Sequence, residues 1–147
     1  MKVIVQRSSK AYVDMALEKK REISYGIVLF VGFSINDTLK EVNYVAKKIA
    51  FLRIFDDEKG IMNKNILEIN GEILSISQFT LYGDTKNGNR PSYVNAMSVD
   101  KAFTLYERFN EILLDYGITV KTGWFGKDMN VSLVNDGPVT IVMEKEV

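Results

Sequence analysis

The sequence predicts a single α+β domain over residues 1–147, with a mostly antiparallel, barrel-like β core and two main helices. Three observations predict it. β-branched and apolar runs of strand length recur from one end of the chain to the other. Two stretches carry apolar residues at the three-and-four spacing of an amphipathic helix. The strand signals come in groups before, between and after those helices, which argues against an alternating parallel fold.

Met1–Arg7 reads as a strand with Val3 and Val5 on one face and Ile4 on the other, and Ala11–Leu17 is its expected partner. Glu18–Glu22 is a charged run suited to a hairpin tip. Ile27–Phe33 is continuously apolar, the pattern of a strand buried on both faces. Thr38-Leu39-Lys40-Glu41 has capping-box spacing, and Val42, Val45, Ala46, Ile49 and Leu52 follow at helical intervals. A helix is therefore expected over about residues 38–53. Asp56–Gly60 reads as a polar turn, without the alternating ligands and distal Glu of a calcium loop.

Asn70-Gly71, between Ile66–Ile69 and Ile73–Phe79, predicts a two-residue hairpin because both residues tolerate positive φ. Residues 83–97 form a polar, irregular loop containing Gly83, Gly88 and Pro91. Ser98 opens the second helix, Leu105, Tyr106, Phe109, Ile112, Leu113 and Tyr116 form its apolar stripe, and Gly117 ends it. Short strands are expected at Ile118–Lys121 and Met129–Val134. A turn at Asn135–Pro138 then leads into a last strand, Val139–Met143.

Composition narrows the chemistry. Lys plus Arg and Asp plus Glu both number 19, so no global field recruits nucleic acid, DNA or RNA, or an anionic membrane, and any such binding must use a local patch. The chain has no Cys and no His. Thiolate nucleophiles, Cys- or His-ligated metals and the Ser-His-Asp triad are excluded, and neither metal nor cofactor is expected. The longest apolar run, Ile27–Phe33, is far below the ~20 residues of a spanning helix, so a cytoplasmic location is expected.

Three segments are more polar than their surroundings. Ser77-Gln78-Phe79-Thr80-Leu81 ends an apolar strand, where rigid backbone amides could stabilise an oxyanion or Ser and Thr could simply pack. Lys86-Asn87-Gly88-Asn89-Arg90-Pro91-Ser92 could hold phosphates or be a solvated loop. Asn135-Asp136-Gly137-Pro138-Val139-Thr140 is a turn whose Gly-Pro bond is either cis or trans. Physics alone leaves an α+β domain with an amide-lined site as one option.

Taken together these segments resemble one family, the D-aminoacyl-tRNA deacylases, also called D-tyrosyl-tRNA deacylases. The resemblance is carried by Ser77–Leu81 and Asn135–Thr140, the family's two signature motifs. It extends to Val5-Gln6-Arg7, Arg53-Ile54-Phe55, Met62-Asn63, Asn89–Ser92 and Gly123-Trp124-Phe125 leading to Met129, Val131 and Leu133. It implies a homodimer with active sites at the subunit interface, acting on D-aminoacyl-tRNA by hydrolysing the ester to the terminal adenosine. It implies that backbone amides around Ser77, Gln78, Phe79 and Thr80 line the catalytic pocket. A cis Gly137-Pro138 pair, with Arg7 and Met129, would serve chiral selectivity from the partner's side. Lys86 and Arg90 would contact the tRNA. The ester is already activated, so the neighbouring ribose hydroxyl and fixed amides would suffice without His or Cys. The rival readings are a non-catalytic RNA-binding module and a related deacylase that removes wrong L-amino acids.

Overall fold

The computed structural model describes residues 1–16 and 19–147. In chain order the elements are β1 (Lys2–Ser8), β2 (Ala11–Met15), β3 (Lys19–Ile23), β4 (Gly26–Gly32), α1 (Leu39–Ala50), β5 (Phe55–Asp56) and β6 (Met62–Lys64). There follow β7 (Glu72–Ser77), a 3-10 turn (Phe79–Tyr82), α2 (Val99–Asp115), β8 (Thr119–Thr122), β9 (Asn130–Ser132) and β10 (Asn135–Glu144).

The main sheet has five strands in the order β10-β1-β4-β7-β8, and a smaller sheet has the order β3-β2-β9. Both helices lie on one face of the main sheet. Val3, Val5, Ile27 and Leu29 pack there against Val42, Val45 and Ile49 of α1 and Phe109 and Leu113 of α2, all without solvent exposure. The small sheet covers part of the other face, where Ala11, Val13 and Ile23 meet Val28, Leu74 and Ile76. This sandwiching is why β4 is apolar on both sides. Each fully buried branched side chain contributes about 1.5–3 kcal/mol, so β4 anchors both layers. The small sheet does not extend over β1 and β10. Ile4 is left half-buried and Val142 exposed on that face.

Thr38 forms the expected capping box: its Oγ1 accepts from the Lys40 amide, and Glu41 reaches back to the Thr38 amide at 2.8 Å. Ser98 stands at the N-cap of α2, as expected, but its side chain makes no capping hydrogen bond. Gly117, with φ of 90°, follows the helix end.

The structure corrects the expected pairings. β1 pairs with β10 and β4, whereas β2 pairs with β3 and β9. Ala11 and Val13 fill the second apolar cluster, which draws β2 out of the main sheet. Lys19–Glu22 belong to strand β3 rather than a hairpin tip. Leu17 and Glu18, expected at the end of that strand and at the tip, lie outside the described residues. No hairpin forms at Asn70-Gly71. Residues 66–70 are a turn closed by Gly71 N–H donating to Ile66 O at 3.0 Å, with Asn70 at φ 52°. Ile66 is apolar because it is fully buried in the helix-side core, not because it alternates in a strand. β7 then pairs in parallel with both β4 and β8, so the sheet is mixed, although five of the seven ladders are antiparallel. The expected turn at Asn135–Pro138 lies within β10, at a register irregularity opposite Gln6–Ser8.

Candidate active site

Strand β7 delivers Ser77 to the edge of the core, and the Gln78 amide makes a last bond to Val31 O at 2.7 Å. The chain then tightens into the 3-10 turn, with Leu81 N–H donating to Gln78 O and Gly83 N–H to Thr80 O. Gly32 permits this closure: a Cβ there would meet Gln78 O at 2.9 Å and Leu81 Cβ at 3.1 Å. A short helical turn leaves its first amides without internal acceptors. Here those are Phe79 and Thr80, whose N–H groups have no acceptor among the described residues.

Beside them lies a cleft of about 520 Å3. Ser77, Gln78 and Phe79 line one wall; Phe125 and Met129 line the other. Phe79 is exposed and packs edge-on against Tyr93 at 5.0 Å. Thr80 does not line the cleft. Its Oγ1 accepts from Gln78 Nε2 at 2.6 Å, its only side-chain partner among the described residues. The hydroxyl therefore lacks the adjacent base that a serine- or threonine-type nucleophile requires.

A second constellation surrounds Gly137-Pro138, whose peptide bond is cis and whose residues are exposed. Arg7 is buried beneath it. Nε donates to Asp136 O at 3.1 Å and lies 3.2 Å from Asp136 Oδ2. Nη1 donates to Ile54 O at 2.9 Å and to Asp56 Oδ1 at 3.4 Å. Tyr25 donates from its hydroxyl to Asp136 Oδ2 at 2.9 Å. Burial, and then the Asp136 carboxylate, push the Tyr25 pKa up, so the phenol remains a donor. Gly137 has φ of 128°, and a Cβ there would come within 3.1 Å of Arg7 Nη2 and 2.8 Å of Val139 Cγ2.

The two constellations do not meet within one chain. Gln78 bonds to Val31, Val31 faces Val3, and Val3 faces Met143. Pro138 is five residues back along β10 from Met143. That is roughly 16 Å along the strand, added to three strand spacings of ~4.8 Å across the sheet.

The structure thus brings Ser77, Gln78, Phe79 and Met129 to one cleft, and Arg7 to Gly137 and Pro138. Lys86 lines a separate polar groove of about 530 Å3, beyond the 3-10 turn, with Lys2 and Tyr82. Arg90 is exposed on the same loop and lines neither cavity. Sequence reasoning missed Tyr25, Asp56, the Ile54 carbonyl and the cleft-lining pair Lys127 and Asp128. Asp56 was visible only as a turn residue and Asp136 as a turn and motif residue, since nothing local ties either to Arg7.

A histidine-free cleft with two unpartnered amides beside it, one of them on the lining residue Phe79, suits hydrolysis of an activated acyl bond. The chain belongs to the D-Tyr-tRNA(Tyr) deacylase family, whose sequence profile matches residues 4–144. It is 49% identical over 146 residues to a D-aminoacyl-tRNA deacylase of Bacillus cereus, covering 99% of this chain and 100% of that one. It is 50% identical to the Bacillus cytotoxicus D-aminoacyl-tRNA deacylase with the same coverage. Among solved structures it is similar to the c-Myc DNA Unwinding Element Binding Protein, with TM-score 0.93, 38% identity and 100% of both chains covered. A structure described as a probable eukaryotic D-amino acid tRNA deacylase shares the fold, with TM-score 0.86 at 15% identity over 97% of each chain.

Proposed function

We propose that the protein is a D-aminoacyl-tRNA deacylase, a hydrolase that cleaves the ester between a D-amino acid and the terminal ribose of tRNA. The family relationship over nearly the whole chain supports the activity. The observation that carries the mechanism is the pair of unpartnered Phe79 and Thr80 amides beside the cleft. Water adds to the ester carbonyl, and the resulting oxyanion accepts from these two N–H groups. They are already fixed by the turn, so no reorganisation accompanies charge development. The neighbouring ribose hydroxyl positions the water. The intermediate collapses as the ribose oxygen leaves and takes up a proton, giving free D-amino acid and tRNA. Thr80 acts through its backbone.

The reading includes a homodimer. The resemblance implies that the Gly137-Pro138 pair reaches into the partner's site, and the wide separation of that loop from the cleft within one chain fits this arrangement. The uncovered Ile4 and Val142 face and the free edge of β10 offer a surface for that copy. In the dimer the partner's loop presents rigid carbonyls beside the chiral carbon. An L side chain is rejected by collision, while a D side chain points away and glycine offers nothing to reject. Met129 completes the opposite wall. Lys86 and Arg90 contact the tRNA backbone outside the cleft. A cytoplasmic location follows from the substrate.

The test is deacylation of matched D- and L-tyrosyl-tRNA by the purified protein. Turnover of the D form with the L form spared is expected. Turnover of L alone would instead mark an L-specific editing enzyme, and turnover of neither a binding module. In the same assay, Lys86→Ala and Arg90→Ala should each reduce the log-affinity against log-salt slope by about one. An unchanged slope in both would place the RNA surface elsewhere.

A further inference from the structure

The chemistry above leaves one well-placed cation unused. Arg21 stands in the middle of β3, opposite Val13. Its guanidinium leaves the small sheet and reaches the last residue of β8 and the one after it. Nη1 donates to Thr122 O at 2.9 Å, Thr122 Oγ1 at 3.1 Å and Gly123 O at 3.3 Å. Its Cζ lies 4.2 Å from the ring centroid of Trp124. An exposed arginine making no use of its geometry would not combine carbonyl bonding with stacking in this way.

The segment it holds leads directly into the far wall of the cleft, which begins at Phe125. Gly123 N–H donates to Ser75 O at 3.0 Å, which ties the wall to the strand that delivers Ser77. Phe125 sits between Phe103 at 5.2 Å and Tyr106 at 5.6 Å. A Cβ on Gly123 would lie 2.7 Å from Met129 Sδ, so Met129 packs directly on the backbone that Arg21 grips. The helix side of the wall is thus fixed by aromatic packing, and the opposite side is gripped by the Arg21 guanidinium together with the Gly123–Ser75 bond.

We propose that Arg21 is a positioning residue of the active site, setting the Phe125–Met129 wall at its working distance from the Phe79 and Thr80 amides by clamping the two carbonyls and the Trp124 ring that lead into it. The inference rests on the deacylase reading. Arg21 touches no substrate, so its loss changes the geometry of the reacting ester rather than its binding. A misplacement of about 1 Å costs on the order of 100-fold in rate. Lysine does not replace it, because a point charge lacks the planar fork and the stacking face.

Trp124 is the only tryptophan in the chain, so its fluorescence reports the clamp without any substrate. Arg21→Met, which keeps length and apolar packing, and Arg21→Lys are compared with wild type. In both, Trp124 should become more accessible to acrylamide quenching. The kcat for D-tyrosyl-tRNA should fall by about 10- to 100-fold with KM within about twofold. D-tyrosyl-adenosine, which lacks the RNA backbone, should show the same loss. Wild-type kcat in a folded variant with an exposed Trp124 would overturn the proposal, as would unchanged quenching. A rise in KM confined to the tRNA substrate would also overturn it, by making Arg21 an RNA contact. If wild type itself turned over no D-tyrosyl-tRNA, the deacylase reading would fall, and the quenching comparison would still decide the clamp.

Discussion

Arg7→Lys is the sharpest probe of how the Gly137-Pro138 loop is held. The guanidinium bonds to the Ile54 and Asp136 carbonyls and to two carboxylates from different segments. An ammonium can satisfy one of these sites but not the fork. The Nη1 bond to Ile54 O is buried, and an orphaned buried carbonyl costs about 1–3 kcal/mol. The ion pairs add little. The Asp56 and Asp136 side chains are 53% and 42% exposed, and solvent-screened pairs contribute about 0–1 kcal/mol. A destabilisation of about 2 kcal/mol is therefore expected. At ~2–4 °C per kcal/mol for a chain of this size, Tm should fall by roughly 4–8 °C. The functional consequence is larger, because the loop above loses its floor: Gly137 lies against Arg7 Nη2. The ratio of D- to L-tyrosyl-tRNA hydrolysis should drop by about tenfold or more, equivalent to ~1.4 kcal/mol of discrimination. Calorimetry and matched single-turnover deacylation measure both. A folded Arg7→Lys protein with wild-type selectivity would refute the argument and leave the loop's position to Tyr25, Asp136 and its own backbone.

Three further outcomes follow from single contacts. Thr80→Ala should keep most of its single-turnover deacylation rate, because among the described residues the hydroxyl's only side-chain partner is Gln78 Nε2; a loss of about 1000-fold with an intact circular-dichroism spectrum would make the hydroxyl essential. Gly26→Ala should fold poorly, since its Cβ would lie 1.9 Å from Glu72 O at the start of the β4–β7 ladder. Urea unfolding should show a cost above about 4 kcal/mol, and near-wild-type stability would mean the two strands can separate there. The Thr38 hydroxyl, more than any other group, holds the Glu41 carboxyl below its ordinary pKa of 4.5. A depressed carboxylate stabilises the fold above its unfolded pKa, and that contribution is lost as pH falls through the folded value. Glu41→Gln should therefore lower the urea midpoint at pH 7 and converge with wild type in acid; a constant difference across that window would assign the effect to packing.

What the residues determined alone was local. Thr38 and Glu41 are three positions apart, so the capping box and the helix after it are written in adjacent sequence. The double-sided apolar run of β4 likewise forces a strand covered on both faces, whichever layers do the covering. The polar strand end at Ser77–Leu81 was legible as a place where amides could gather, and the motif resemblance attached a chemistry to it. Tertiary structure decided everything that depends on long-range partners. Ile66–Asn70 and Ala11–Met15 have strand-like composition, yet burial in two separate cores turned the first into a turn and sent the second to another sheet. The acceptors of Arg7 lie 47 to 129 residues away and include two backbone carbonyls, which leave no mark on residue type. The contact of Arg21 with Trp124 joins the small sheet to the loop after β8 for the same reason. Local hydrogen bonding is fixed by spacing along the chain, whereas strand order, register and the facing walls of a cleft are fixed by which apolar surfaces can be buried together.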